Sequence, residues 1–128
     1  SDYCIKKQIK NIYLYPSVVE KFFKNYRKLR FEKIYILFPD PWPKKRHNKR
    51  RLINNVFIKN IIFFLKKNGK TFFSTDNVDY YNNVKNILKK FDNIKVKKTK
   101  KVVTIKTKFY MKALKNGNNI NSLIFSKN

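Results

Sequence analysis

Between Asn11 and Lys90, short apolar runs alternate with longer stretches in which apolar residues recur at helical spacing. No other feature of the chain limits its fold as tightly. Residues 11–15, NIYLY, read as a short buried strand ended by Pro16, because proline cannot donate to a sheet ladder. KIYILF (33–38) reads as a second strand stopped by Pro39, and KTFFST (70–75) as a third. Residues 17–29 predict a helix with Ser17 as N-cap and Val18, Val19, Phe22, Phe23 and Tyr26 on one face. Residues 48–67 predict a long helix with Leu52, Ile53, Val56, Phe57, Asn60, Ile61, Phe64 and Leu65 on or near one face, closing on Asn68-Gly69 as a C-cap. Asp76 is placed to cap a further helix running to about Lys90, with Asp79 in the capping-box position. Strands are expected at 94–98 and 120–126, and a short helix at 107–115. The lysine run 95–101 reads as a solvated edge or loop, since lysines at a sheet edge block unwanted pairing. Strand, helix, strand, helix is the grammar of an α/β fold, here one domain over residues 1–128. Its sheet is expected to be largely parallel, with both faces covered and ligands bound beyond the carboxyl ends of the strands.

Charge narrows the partners. The formal net charge is +25 over 128 residues, with only seven acidic residues. Such a charge attracts polyanions, nucleic acid first and an anionic membrane surface second. Coding drift toward AT-rich codons is the competing source of the scattered lysines. It accounts less well for Arg46, His47, Arg50 and Arg51, which such drift does not favour. Cys4 is alone, which leaves no disulfide framework and no cysteine-based metal site, and fits a reducing, cytoplasmic setting. The longest apolar run, Ile61 to Leu65, is far too short to span a bilayer, and no secretory signal pattern is present. There is no P-loop, no His/Cys metal spacing, and no Ser or Cys nucleophile with a His partner. The chain starts at Ser1 rather than Met, which reads as a fragment or a shortened reading frame.

The segment FPDPWPKKRHNKRR (38–51) concentrates the chemistry. Asp40 follows the second strand between two prolines, beside the chain's one Trp. Pro41 pushes Asp40 out of the α region and Pro39 fixes its predecessor, so the loop is stiff. An Asp turn is the plain alternative. A stiff loop carrying one carboxylate and one large aromatic suits the holding of a base. Asp76 ends the third strand at the same edge, as a helix cap, a ligand contact or both. The run from Lys44 to Arg51 is expected to enter the start of the long helix, where cations oppose the dipole by roughly 0.3–1 kcal/mol each. That placement makes sense if phosphate docks there. A merely solvated charge run, a surface His47 and a core-covering Trp42 are the plain readings.

These residues resemble a family. FPDPWPKKRHNKRR is similar to the signature of the bacterial tRNA (guanine-N7)-methyltransferases, class I enzymes with a Rossmann-like sheet that use S-adenosylmethionine. NGKTFFSTD (68–76), TKFYMKALKNG (107–117) and NSLIFSK (121–127) continue the resemblance in order. The resemblance implies that Asp40 is the catalytic and cofactor-binding acid, shared between S-adenosylmethionine and guanine. It implies substrate contacts at Lys44 and Asp76, and a substrate-site tetrad at Thr107, Lys108, Phe109 and Tyr110, where the family usually has Glu in place of Tyr110. It implies a tRNA-binding segment of Arg46, His47, Asn48, Lys49, Arg50 and Arg51. It implies no metal and no membrane. Guanine N7 carries a free lone pair, so such an enzyme mainly has to align nucleophile, methyl and leaving sulfur.

Class I enzymes begin with a strand, a Gly-rich turn and a second strand ending in an acid. This chain has two glycines, Gly69 and Gly117, both late, so no such turn is present. The strand at 11–15 matches the family's third, and Ser17 stands where the family has an acid. The expected fold is therefore a partial class I sheet lacking its first two strands. Residues 11–15 are then either displaced or paired directly against 33–38, and the 33–38 strand keeps a bare edge. Three functions stay open: a tRNA (guanine-N7)-methyltransferase, a catalytically dead remnant that holds RNA through residues 44–51, or a chain completed by a separate polypeptide that supplies the missing half.

Overall fold

The computed structural model describes residues 5–99 and 107–128. In chain order it contains α1 (Val19–Asn25), β1 (Phe31–Leu37), a 3-10 segment (Lys45–Arg50), α2 (Asn55–Phe64), β2 (Leu65–Thr75), α3 (Val78–Leu88), β3 (Ile94–Thr99), α4 (Lys108–Lys115) and β4 (Asn121–Lys127). The four strands form one sheet in the order β1-β2-β4-β3. Only β1 and β2 run parallel; β4 lies antiparallel to both of its neighbours. The expected α/β architecture is present, but the sheet is mixed rather than largely parallel. Apolar content marks a strand as buried and carries no information about its direction.

One sheet face holds the core. Ile36, Phe73 and Leu123 share a register row across β1, β2 and β4, and Phe125 pairs with Thr71 on the same face. Phe57, Ile61 and Phe64 of α2, Phe23 of α1 and Tyr80, Val84 and Leu88 of α3 bury against this layer. Phe23 stacks on Phe64 with centroids 5.0 Å apart, and Tyr80 meets Phe73 edge-on at 5.6 Å. Full burial of each such side chain stabilises by about 1.5–3 kcal/mol. On the opposite face Tyr35 and Phe72 stack at 4.7 Å yet stay partly exposed, so among the described residues that face is less covered than expected.

Several sequence expectations change. Residues 11–15 form no strand, and Tyr13 and Leu14 are exposed, so this segment is displaced from the sheet and not buried. Among the described residues, Leu37 and its neighbours in β1 accordingly pair on one side only, with β2. The helix expected over 17–29 is shortened to α1, with Val18 and not Ser17 at its N-cap. The long helix expected over 48–67 divides. Its first part winds as the 3-10 segment, and α2 starts only after Asn54, whose side chain accepts from Phe57 N–H at 2.9 Å. The cations at 44–51 therefore do not sit on an α-helix N-terminus, and the dipole argument falls away. α2 then passes into β2 at Leu65 with no loop. Asn68-Gly69 is not a C-cap but a bulge inside β2: Phe31 pairs with Leu65, while Lys33 pairs with Lys70. Asn68 takes φ 63°, and a Cβ on Gly69 would come within 2.8 Å of Lys66 O and 3.1 Å of Phe31 O. Asn77, not Asp76, caps α3, accepting from Tyr80 N–H at 2.8 Å. The lysines of β3 lie on an edge strand, as the charge pattern suggests; residues 100 and 101 fall outside the described residues.

Candidate functional site

The site is built at the carboxyl ends of the two parallel strands. Phe38 N–H donates to Ser74 O at 2.9 Å, which extends the β1–β2 ladder by one bond. The chain then turns sharply: Phe38 has φ 52° and Trp42 has φ 43°. Neither is glycine, so each left-handed residue costs roughly 1–3 kcal/mol that the surroundings must offset. Between them, Asp40 Oδ1 accepts from Trp42 N–H at 2.9 Å. The Asp turn considered from sequence is therefore real. It uses one oxygen only. The side chain is exposed, and its Oδ2 has no hydrogen-bond partner among the described residues.

Asp40 stands between two clefts. The first, of about 470 Å³, is walled by Pro39, Asp40, Asp76, Phe109, Lys112 and Asn116. The second, of about 600 Å³, is walled by Val19, Glu20, Asp40, Trp42, Arg50 and Leu52. Asp40 and Asp76 thus both line the first cleft, and Asp40 and Glu20 the second. Asp76 Oδ2 accepts from Asn118 Nδ2 at 3.1 Å, which ties the end of β2 to the turn after α4.

The expected tetrad divides by role. Thr107 caps α4, its Oγ1 accepting from Tyr110 N–H at 3.1 Å. Lys108 is exposed, and Phe109 projects into the first cleft. Tyr110 lies edge-on against Phe38 at 6.3 Å, where it packs on the strained end of the loop. Lys112 and Asn116, which sequence reading passed over, complete the same cleft. They follow Phe109 at the i+3 and i+7 positions, a helix-face pattern that was legible once α4 was placed.

The basic segment also divides. Lys44, Lys45, Arg46, Lys49 and Arg50 are exposed. His47 is half-buried with its ring edge-on to Trp42 at 5.9 Å, and the Arg50 guanidinium lies 5.2 Å from the Trp42 ring. Asn48, with its amide turned so that nitrogen faces the carbonyls, donates to Trp42 O at 2.9 Å and Lys44 O at 3.2 Å, so it holds the loop from inside. Arg51 departs from the expected RNA-facing role. It is only 4 % exposed. Its Nε donates to Pro41 O at 2.6 Å, an Nη donates to Asp79 Oδ2 at 2.8 Å, and the guanidinium lies 4.8 Å from the Tyr80 ring. Asp79, expected in a capping box, is instead its ion-pair partner. Burial raises the Tyr80 hydroxyl above its ordinary pKa, outweighing the Ile53 N–H bond and the Arg51 charge that pull it down.

No group of three or more His, Cys, Asp or Glu side chains suited to a metal occurs among the described residues, and no described helix is long and apolar enough to cross a membrane. The chain matches a family model described as "Putative methyltransferase" over residues 1–123. A tRNA (guanine-N(7)-)-methyltransferase from Buchnera aphidicola subsp. Acyrthosiphon pisum (strain Tuc7) is 35% identical over 134 residues, covering 96% of this chain and 54% of that protein. One from Wolbachia pipientis wMel is 33% identical over 109 residues, covering 85% of this chain and 49% of that protein. The chain spans about half the length of these relatives. Among solved structures, "A putative sam-dependent methyltransferase from Streptococcus mutans" aligns with 86% of this chain and 29% of its own at 14% identity and a TM-score of 0.47.

Proposed function

The chain belongs to this methyltransferase family, and from that premise we propose that it serves the transfer of a methyl group from S-adenosylmethionine to N7 of a guanine in the variable region of tRNA. The observation that carries the reading is the place of Asp40: a carboxylate with one free oxygen, on a stiff loop, between two clefts and next to five exposed cations.

The second cleft fits an adenosyl sulfonium in the character of its donors. Glu20 and Asp40 offer carboxylates for hydroxyl or amino groups, Trp42 offers a flat aromatic surface, and Val19 and Leu52 an apolar wall. When bound there, S-adenosylmethionine supplies an electrophilic methyl on a positive sulfur. The first cleft receives the base. Phe109 presents a ring for stacking, Asp40 Oδ2 accepts an N–H from the guanine edge, and Lys112 and Asn116 donate to its oxygen. Guanine N7 needs no proton removed, so the residues orient and exclude water rather than move protons. As N7 becomes alkylated the base gains positive charge, which the Asp40 and Asp76 carboxylates offset. Lys44, Lys45, Arg46, Lys49 and Arg50 hold the RNA backbone, and His47 steadies Trp42.

A second reading has its own observation. Among the described residues β1 pairs on one side only, and beside it lies an apolar groove of about 480 Å³ lined by Phe22, Ile34, Ile36, Leu52 and Phe57. A further polypeptide segment covering that edge completes the cofactor site; without one, the chain is an RNA-holding module. Calorimetric titration of the chain with S-adenosylmethionine separates the two, with Asp40→Ala as control. Binding that disappears in the control supports the methyltransferase reading. No binding by a folded chain excludes a complete cofactor site on this chain alone and leaves a site completed by a further segment, or RNA holding, as the function.

A further inference from the structure

The basic segment ends on a residue that cannot reach a phosphate. Arg51 directly follows the 3-10 segment, and its N–H donates to Asn48 O at 3.1 Å. Its guanidinium instead joins two elements far apart in sequence: the carbonyl of Pro41 beside Asp40, and the carboxylate of Asp79 in the first turn of α3, three residues past Asp76. The loop it grips is the one with left-handed backbone at both ends, Phe38 and Trp42. Loop geometry of that kind persists only where its surroundings over-determine it. The loop is also held by the Asp40–Trp42 turn, the Asn48 amide, the Phe38 N–H on Ser74 O and the Phe38 ring against Tyr110, but none of these four reaches α3.

We propose that Arg51 and Asp79 form a clamp in which Arg51 is a positioning residue: it fixes the Asp40 loop to the start of α3, so that Asp40 and Asp76 keep one spacing, and it couples the exposed cations of residues 45–50 to that spacing. The clamp stands on geometry; its consequence for the cofactor rests on the reading of Asp40 given above. Its chemistry follows from the partners. The charge of Arg51 is buried and is matched by one carboxylate, while the Asp79 side chain is 73% exposed. Loss of Asp79 therefore leaves the core in place and frees one end of the guanidinium.

Trp42 is the chain's single Trp and sits in the clamped loop, so it reports directly. The test compares wild type, Asp79→Asn, Asp79→Glu and Arg51→Lys by thermal melting, acrylamide quenching of Trp42 and S-adenosylmethionine titration. Asp79→Asn stays folded at room temperature with a lowered melting temperature, because Arg51 is left buried beside a neutral amide, while the quenching constant at room temperature rises by about twofold as the loop opens locally. Asp79→Glu restores the wild-type quenching. Where wild type binds S-adenosylmethionine, Asp79→Asn binds about tenfold more weakly, because the competent loop is populated for less of the time. Unchanged Trp42 quenching in folded Asp79→Asn and Arg51→Lys overturns the clamp, as does a rise in quenching that appears only within the melting transition. Raised quenching with no S-adenosylmethionine binding by wild type keeps the clamp and overturns the cofactor reading of Asp40.

Discussion

Tyr80 shows how one side chain serves both the core and the site. Its ring is buried against Phe73, its hydroxyl accepts from Ile53 N–H at 3.0 Å, and Arg51 lies over its face. Tyr80→Phe keeps the ring and leaves the buried Ile53 N–H unpaired, at a cost of about 1–3 kcal/mol in denaturant unfolding. The pH dependence has a defined sign. The folded pKa of Tyr80 is raised above its ordinary value of 10.0 by burial. The unfolded chain therefore loses this proton first, so the stability from the neutral hydroxyl is complete below about pH 10 and fades as pH climbs through the folded pKa. The gap between wild type and Tyr80→Phe narrows above pH 10 and is constant below it, which unfolding curves across pH 8–11 will check. Thr71 is the opposite case. Its hydroxyl is buried in the ladder between Ile34 and Phe125 with no partner among the described residues. Thr71→Val removes that unpaired group and raises stability by roughly 1 kcal/mol; a lowered midpoint would show that the hydroxyl has an acceptor.

At the level of elements, the junction of α2 and β2 decides where the site lies. The helix becomes the strand at Leu65, and the bulge at Asn68-Gly69 absorbs three extra residues before the ladder resumes at Lys70. That adjustment brings Ser74 opposite Leu37, so that Phe38 and Asp76 leave the sheet together. Gly69→Ala places a methyl group against two carbonyl oxygens, at 2.8 and 3.1 Å, and lowers stability by about 1–3 kcal/mol. A neutral result in equilibrium unfolding would mean that the bulge relaxes. The first cleft depends on similar borrowing: α4 and its C-cap contribute Phe109, Lys112 and Asn116, and Asn118 ties the turn that follows to Asp76.

For the molecule as a whole, the function proposed above carries a salt dependence. On that reading the net charge of +25 makes tRNA binding fall steeply as salt rises, the slope counting the phosphates engaged. The structure divides the cluster into exposed cations and one buried one. Replacing Lys45, Arg46 and Arg50 by Ala lowers the slope of log K against log salt by about 2–3, one near-unit step for each phosphate no longer neutralised. Arg51→Gln, which removes a charge, leaves the slope unchanged, since the Arg51 charge faces inward. Filter binding over a salt series distinguishes these outcomes; equal weakening by both would place Arg51 on the RNA after all.

Local facts were legible in the order of residues alone. The apolar runs at 33–38 and 70–75 are strands because they are short, rich in β-branched and aromatic residues and ended by turn residues, and the Pro-Asp-Pro loop is stiff wherever it is placed. The signature at 38–51 contains the loop whose Asp40 lines both clefts, and Asp40 and Asp76 do leave the same sheet edge. What depends on neighbours distant in the chain was settled only by the folded arrangement. Residues 11–15 are apolar enough for a strand, yet a strand needs a partner on its edge, and the described sheet gives them none. Arg51 looks like any cation in a run of cations. Only the arrival of Asp79 and the Pro41 carbonyl at one point, 28 and 10 residues away in sequence, offset the cost of burying its charge and turned it inward.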